Sequence, residues 1–169
     1  MEITTTMIKE LRESTGAGVM DAKRALEEAQ GDMAKAKVVL REKGVAAAAK
    51  RADRETSNGV VESYIHAGGR IGVLVEINCE TDFVANTEDF RQLARNVAMQ
   101  VAAMNPQLIS ADERAANPQL EGRDEEHCLL SQPFIKDGSR TIQTLVSDTV
   151  AKTGENIRIR RFVRFELGR

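Results

Sequence analysis

Apolar and polar residues alternate in two stretches near the middle of the chain, a pattern typical of β-strands. The first stretch runs from Val60 to His66, and the second runs from Arg70 to Ile77. The segment Ala67-Gly68-Gly69 between them is suited to a hairpin loop. One face of the second strand is therefore predicted to lie on a core. That face carries Ile71, Val73, Val75 and Ile77.

The final stretch of the chain alternates in the same way and predicts a third strand. Its apolar parity consists of Ile157, Ile159, Val163, Phe165 and Leu167, with Arg161 as the single exception. We expect this strand to extend the hairpin into an antiparallel sheet that has helices on one face. The predicted fold class is α+β, with a helical module followed by a small three-stranded sheet.

Residues 1–44 have apolar positions at helical spacing and predict a module of three short helices. Thr4 to Thr6 offer N-caps for the first helix, and Gly31 is placed to end the second. Asp32 can cap the third helix, which is expected to end near Gly44. A module of this size buries only a small core. It resembles a ubiquitin-associated domain.

Composition divides the remaining chain into a tether and a second domain. Residues 45–58 are rich in alanine, which favours a helical or partly frayed tether. Residues 59–169 are predicted to form the α+β core, with helices from Asp89 to Met104 and from Thr141 to Thr153. A polar connector of residues 110–126 has no sustained periodicity.

The bulk composition excludes several classes of protein. The formal net charge is −2, which disfavours a large sequence-independent affinity for DNA or RNA. The two cysteines, Cys79 and Cys128, are too few for a disulfide scaffold and fit a reducing compartment. No apolar run approaches the ~20 residues that span a bilayer, and the start of the chain lacks the pattern of an export signal. We expect a cytoplasmic protein with no membrane contact.

The chain shows no constellation of an enzyme or of a nucleotide-binding protein. It has no Gly-x-x-x-x-Gly-Lys-Ser/Thr loop, so no direct nucleotide binding of that kind is expected. His66, Cys79, His127 and Cys128 lack the paired spacing of zinc ligands, and neither a metal nor a cofactor is predicted. A nucleophile pair of Cys79 and His66 is conceivable, but Cys79 shares the parity of the core residues and is more simply buried.

The shoulder after the second strand, residues Thr81 to Val84, is the strongest candidate site. Asp82 and Phe83 follow the end of the strand and precede a helical run that begins near Glu88. A phenylalanine at this place is badly placed for the core of its own domain and well placed to enter a partner. The alternative is that Phe83 folds back and caps the sheet.

Two further segments allow both a structural and a functional interpretation. The turn from Thr15 to Met20 is a tight connection between helices, and its small residues also let a partner approach the backbone. The terminal strand combines arginines with aromatic residues, as in surfaces that bind single-stranded RNA. The alternative for this strand is a solvated face opposite the core. Its residues are Arg158, Arg160, Arg161, Phe162, Arg164 and Phe165.

Three ordered blocks resemble the signatures of the elongation factor Ts family. The block from Asn78 to Ala85 reads NCETDFVA, and the block from Leu11 to Asp21 reads LRESTGAGVMD. The third, from Gly154 to Leu167, reads GENIRIRRFVRFEL. Because the three blocks span both ends of the chain, the resemblance is specific.

The resemblance implies a guanine-nucleotide exchange factor that binds elongation factor Tu carrying GDP and that is not itself an enzyme. In the family, the shoulder disturbs the Mg²⁺ site of the partner, a role that falls here on Thr81, Asp82, Phe83 and Val84. The N-terminal docking turn corresponds to Leu11, Arg12, Thr15, Gly16, Ala17, Gly18, Val19 and Met20. The hairpin contacts correspond to His66, Gly69 and Arg70.

The chain departs from the longer members of the family in two respects. It has room for one copy of the sheet-and-helix core, and its connector of residues 110–126 is shorter than expected. Short members pair two chains, so we expect a homodimer or a two-by-two complex with elongation factor Tu. The alternatives are a passive protein-interaction module and an RNA-binding domain that uses the terminal strand.

Overall fold

The computed structural model describes residues 3–169 and confirms the predicted α+β class. The helices are α1 (Thr5–Thr15), α2 (Val19–Glu28), α3 (Met33–Arg51), α4 (Asp82–Ala85), α5 (Glu88–Met104), α6 (Asp124–His127) and α7 (Ile142–Thr153). The strands are β1 (Asn58–Ile65), β2 (Ile71–Cys79), β3 (Pro133–Phe134), β4 (Asp137–Thr141) and β5 (Ile157–Glu166). Within this part of the chain, no helix is long and apolar enough to cross a membrane.

The first three helices begin and end largely as their capping residues predict. The Thr4 hydroxyl accepts a hydrogen bond from the backbone N–H of Met7, and the Asp32 carboxylate accepts from the first turn of α3. Gly31 has a φ of 85° and follows the end of α2, where a residue without Cβ is favoured. The small core between these helices consists of Leu11, Ala22, Ala25, Leu26, Ala29 and Ala36.

The third helix does not end near Gly44, and that prediction is wrong. Helix α3 continues through the alanine-rich segment to Arg51. Gly44 is buried, and a Cβ at this position would lie 3.5 Å from the Cβ of Ala151 on α7. This distance is an ordinary van der Waals contact, so α3 packs against α7 at Gly44. Contact with α7 and the high helix propensity of alanine explain why α3 continues.

The sheet has the order β1-β2-β5, and both pairs are antiparallel as predicted. Val73, Val75 and Ile77 are buried as expected, and α5 and α7 cover their face of the sheet. Cys79 is buried on the same face. The main contributions from the two helices are Phe90, Leu93, Val97 and Val101 of α5 and Ile142, Leu145, Val146 and Val150 of α7.

A β-bulge in β5 makes the predicted inward face wrong for three of its five residues. Ile77 pairs with Ile159 but Glu76 pairs with Arg161, so Arg160 is an extra residue in the ladder. One extra residue moves every later side chain to the opposite face. Ile157 and Ile159 therefore lie in the core, and after the bulge Phe162 and Arg164 face the helices. The exposed residues are Val163, Phe165 and Leu167, which alternation alone had placed inside.

The connector is ordered by local hydrogen bonds. A 3-10 helix spans Ala111–Ala116, and the Arg114 guanidinium donates to the carbonyl oxygen of Gly122 over 3.0 Å. His127 lies 2.6 Å from the carbonyl oxygen of Glu121 through Nε2. A second 3-10 helix, Leu129–Ser131, then leads into the small β3–β4 ribbon, which sequence periodicity did not predict.

Candidate partner-binding surface

The shoulder forms a one-turn helix, α4, directly after β2. Thr81 is its N-cap, because the Thr81 hydroxyl lies 3.3 Å from the backbone N–H of Val84 and accepts its hydrogen bond. The same hydroxyl donates to the carboxylate of Glu155 over 2.6 Å. Because Thr81 holds both contacts, α4 begins at a fixed place relative to the end of the sheet.

Phe83 points away from the protein. Its side chain is 79% exposed, while the neighbouring Val84 is 5% exposed and packs in the core of the same domain. The alternative that Phe83 folds back to cap the sheet is therefore wrong. Of the four predicted residues, Thr81, Asp82 and Phe83 are exposed, and Val84 anchors the helix from within.

The base of the shoulder is held by residues that periodicity did not single out. The Glu155 carboxylate accepts from the backbone N–H groups of Glu80 and Thr81 over 3.1 and 3.0 Å. The Glu80 carboxylate in turn accepts from the backbone N–H of Asn156 over 2.7 Å. Glu155 and Asn156 lie in the third signature block, directly before β5. This position directly before a strand was the only feature of the sequence that could have pointed to them.

The docking turn connects α1 and α2 through a left-handed glycine. Gly16 has a φ of 73°, and the Thr15 hydroxyl donates to the carbonyl oxygen of Leu11 over 2.6 Å. Arg12 donates to the carbonyl oxygen of Ala17 over 3.3 Å and closes the turn. The predicted docking residues therefore divide into three that are at least partly buried and five that are exposed. Leu11 is buried, Thr15 and Ala17 are half-buried, and the exposed members are Arg12, Gly16, Gly18, Val19 and Met20.

The docking turn lies against the core domain on the same side as α7. A Cβ added to Gly16 would lie 2.3 Å from Cε of Lys152, so the lysine side chain lies against one side of this exposed glycine. The Lys152 ammonium also lies 3.3 Å from the carboxylate of Asp89 in the first turn of α5. The turn is therefore near the start of α5, which follows the shoulder closely along the chain.

The hairpin loop lies at the other end of the sheet. His66, Gly69 and Arg70 are all exposed, and His66 Nδ1 lies 3.1 Å from the Tyr64 hydroxyl. The loop precedes β2 and the shoulder follows it, so the two sites are about 25 Å apart. A partner would have to extend along the length of β2 to contact both.

The structure contradicts the suggested nucleophile pair of Cys79 and His66. Cys79 pairs with Asn58 at the far end of the hairpin, while His66 lies beyond the end of β1 next to the loop. Burial raises the pKa of the Cys79 thiol to about 11, and the negative charge of Glu155 contributes. Cys79 donates through Sγ to the carbonyl oxygen of Thr81 over 3.1 Å, which is a structural role.

Both thiols are expected to react slowly with an alkylating reagent in the folded protein. Cys79 and Cys128 are buried, and burial raises the pKa of each thiol. Because the thiolate is the reactive form, labelling of Cys79 should still increase with pH above about 9, where an ordinary thiol levels off. Mass spectrometry after timed labelling, with a urea-unfolded control, measures this. Rapid labelling of folded Cys79 at about pH 8 would show that it is a reactive thiol.

The arginines of the terminal strand are largely engaged within the chain. Arg161 lies 2.7 Å from the Glu76 carboxylate, and Arg158 donates to the carbonyl oxygen of Ala52. The Arg164 side chain is mostly buried, lies 2.7 Å from Glu166 and donates to a backbone carbonyl of α5. The expected basic-aromatic surface is therefore divided between two faces, and Arg161 and Arg164 are paired with carboxylates.

Comparisons with known proteins agree with the signature blocks. A family model described as elongation factor TS matches residues 2–119. An elongation factor Ts of Desulforamulus reducens is 53% identical over 195 aligned positions, which cover 99% of this chain and 90% of the relative. An elongation factor Ts of Carboxydothermus hydrogenoformans is 54% identical, with 98% and 89% covered. One of a Thermoanaerobacter species is 52% identical, with 98% and 95% covered.

The alignments also contain a length difference. They extend over 194 or 195 positions, whereas this chain has 169 residues, so the relatives carry residues within the matched region that have no counterpart here. The difference agrees in direction with the expectation of a short connector. The match nevertheless extends over nearly the whole chain and includes all three signature blocks. The protein is therefore a member of the elongation factor Ts family of translation elongation factors.

Proposed function

We propose that this protein is the guanine-nucleotide exchange factor of elongation factor Tu and that Phe83 is the residue it inserts into its partner. The observation that carries the proposal is the exposure of Phe83 on a helix that is otherwise anchored in the core. Because its side chain is 79% exposed, most of the apolar surface of Phe83 remains to be buried in a partner. It gains ~1.5–3 kcal/mol when it enters an apolar cleft.

The mechanism uses binding energy to distort the partner and needs no bond-making step in this chain. Insertion of Phe83 between packed helices of elongation factor Tu displaces ligands of its Mg²⁺. Because Mg²⁺ requires nearly ideal octahedral geometry, a small displacement weakens it, and the phosphates of GDP lose their counter-ion. Asp82 orients the shoulder or accepts a hydrogen bond from the partner. Coupling is reciprocal, so GDP or GTP that rebinds weakens the factor and releases it.

The N-terminal module supplies the second contact. Val19 and Met20 are both more than half exposed and lie side by side at the start of α2, next to a turn that exposes its glycine backbone. Together they form a small apolar surface that can accept a helix of the partner. This docking surface places the exchange factor on its partner before the shoulder acts.

The direct test is release of fluorescently labelled GDP from elongation factor Tu, followed in the presence of Mg²⁺ with excess unlabelled nucleotide. We expect the intact protein to accelerate release and to reach a maximal rate as its concentration increases. A binding measurement on the same proteins, such as calorimetry, serves as the control. Binding without acceleration would contradict the proposal and would leave a passive interaction module.

A second copy of the chain is proposed to cover the outer face of the sheet. This face is opposite α5 and α7, and all three strands contribute exposed apolar side chains to it. Leu74 stands opposite Val163, and Phe165 stands opposite Gly72. The full set is Val61, Ile65, Leu74, Val163, Phe165 and Leu167. An exposed apolar patch of this kind marks an association surface.

The charges on this face support a twofold arrangement. The ion pair of Glu76 and Arg161 lies at one edge of the apolar set, and hydrogen bonding from Arg161 lowers the pKa of the Glu76 carboxyl. An apolar centre with a polar edge is the usual composition of an interface. The shoulder and the docking turn lie on elements at the other face or at the end of the sheet. A homodimer therefore leaves both free, as a two-by-two complex with elongation factor Tu requires.

A further inference from the structure

The hydrogen bonds at the base of α4 form a closed reciprocal set. One carboxylate, that of Glu155, accepts from the backbone N–H groups of Glu80 and Thr81 and from the Thr81 hydroxyl, over 3.1, 3.0 and 2.6 Å. The Glu80 side chain points back and accepts from the N–H of Asn156 over 2.7 Å. Two residues at the end of β2 are thus joined to two residues at the start of β5 through both backbone and side chains.

Asn156 and Glu80 also contact the residues that follow α3. Asn156 is buried, and its side-chain amide donates to the carbonyl oxygens of Ala52 and Arg54 over 3.2 and 2.8 Å. The Arg54 guanidinium lies 3.5 Å from the Glu80 carboxylate. The residues that follow α3, the shoulder and the terminal strand therefore meet at one point.

We infer that Glu155 and Asn156 are positioning residues, which hold the shoulder rigid and in a set place relative to the N-terminal module. This inference rests on the proposed exchange function. To separate helices of the partner, Phe83 must lie on a helix that is held rigidly by the rest of the domain. A helix of one turn has little stability of its own. Hydrogen bonds from backbone N–H groups to an ionised carboxylate are among the stronger ones in proteins and supply the attachment.

Glu155 is expected to hold α4 in place without itself contacting the partner. Glu155 is half-buried, and its carboxylate is occupied by the shoulder. Its loss should leave the docking surface unchanged and the ring of Phe83 exposed, but allow α4 to move. Binding to the partner then continues, and the step that distorts the partner becomes inefficient.

The experiment compares Glu155→Ala with the intact protein in GDP release from elongation factor Tu over a range of factor concentrations. We expect the rate at saturation to fall about tenfold and the half-saturating concentration to change less than about twofold. Glu155→Gln keeps one acceptor oxygen for the backbone groups and should recover part of the rate. Glu125→Ala removes the same charge from the exposed connector and should behave as the intact protein.

A purely structural effect has a different signature. If Glu155→Ala only lowered the folded fraction, the half-saturating concentration would rise and the rate at saturation would be unchanged, and the inference would be wrong. Amide hydrogen exchange in the free protein gives a second test, in which Glu80 and Thr81 should lose protection in Glu155→Ala. Unchanged protection would also overturn it. An intact protein that fails to accelerate release defeats the proposed function and, with it, this inference.

Discussion

Replacement of Phe83 by alanine is expected to lower the rate of GDP release at saturating factor about ten- to a hundredfold. The ring is exposed in the free protein, so its burial in the partner is a gain that alanine does not reproduce. Burial of a phenylalanine side chain is worth ~1.5–3 kcal/mol, and each ~1.4 kcal/mol changes a rate or an equilibrium tenfold. Stopped-flow fluorescence of labelled GDP measures the effect.

The same substitution should leave the stability of the protein nearly unchanged. Surface substitutions away from capping or buried features stay within about ±0.5 kcal/mol. Val45→Ala is a matched control, because Val45 is also an exposed apolar residue but lies on α3, away from the shoulder. An equal loss of exchange in both variants, or none in Phe83→Ala, would show that the insertion mechanism is wrong. Exchange would then have to depend on the docking turn or the hairpin loop.

Substitution of Leu74 and Phe165 together by aspartate is expected to convert a dimer into a monomer. Both side chains lie in the apolar outer face of the sheet. Two carboxylates per chain would have to lose water in the interface, at several kcal/mol for each ion. The dissociation constant should therefore rise more than about a thousandfold. Sedimentation or light scattering at micromolar protein measures the mass.

The control for this experiment is Val38→Asp, which adds a charge at an exposed apolar position on α3. It should leave the mass unchanged. Circular dichroism should give the same spectrum for all variants, because the substituted residues lie outside the core. A monomeric mass for the intact protein, or a dimeric mass for the double variant, would contradict the proposed interface.

The elements with local causes were predicted well from the sequence. Alternation in β2 identified its buried face, and the threonine and aspartate caps located the helix starts. These signals depend on residues within one or two turns of each other. The end of α3 could not be predicted in this way, because Gly44 meets Ala151 of α7, far away in the chain.

The candidate site was predicted in part for the same reason. Phe83 was recognised because it follows a strand whose core face was already complete. Its exposure depends on how α4 is anchored, and Glu155, which anchors it, lies 74 residues from Thr81. Parity counting also failed after Arg160, because a bulge is a property of strand pairing. The one sign in the sequence was Arg161, the charged exception on the apolar parity, and it does not by itself show where the register shifts.

The bulge also decides how the aromatic residues of the terminal strand are divided. Phe162 packs against the helices and Phe165 lies on the outer face because one residue, Arg160, has no partner in β2. Removal of Arg160 would abolish the bulge and leave both rings on their present faces, because the residues on either side of it already alternate in register with β2. The strand can therefore lose this one residue, through deletion of a single codon, without exchanging its core face and its outer apolar face.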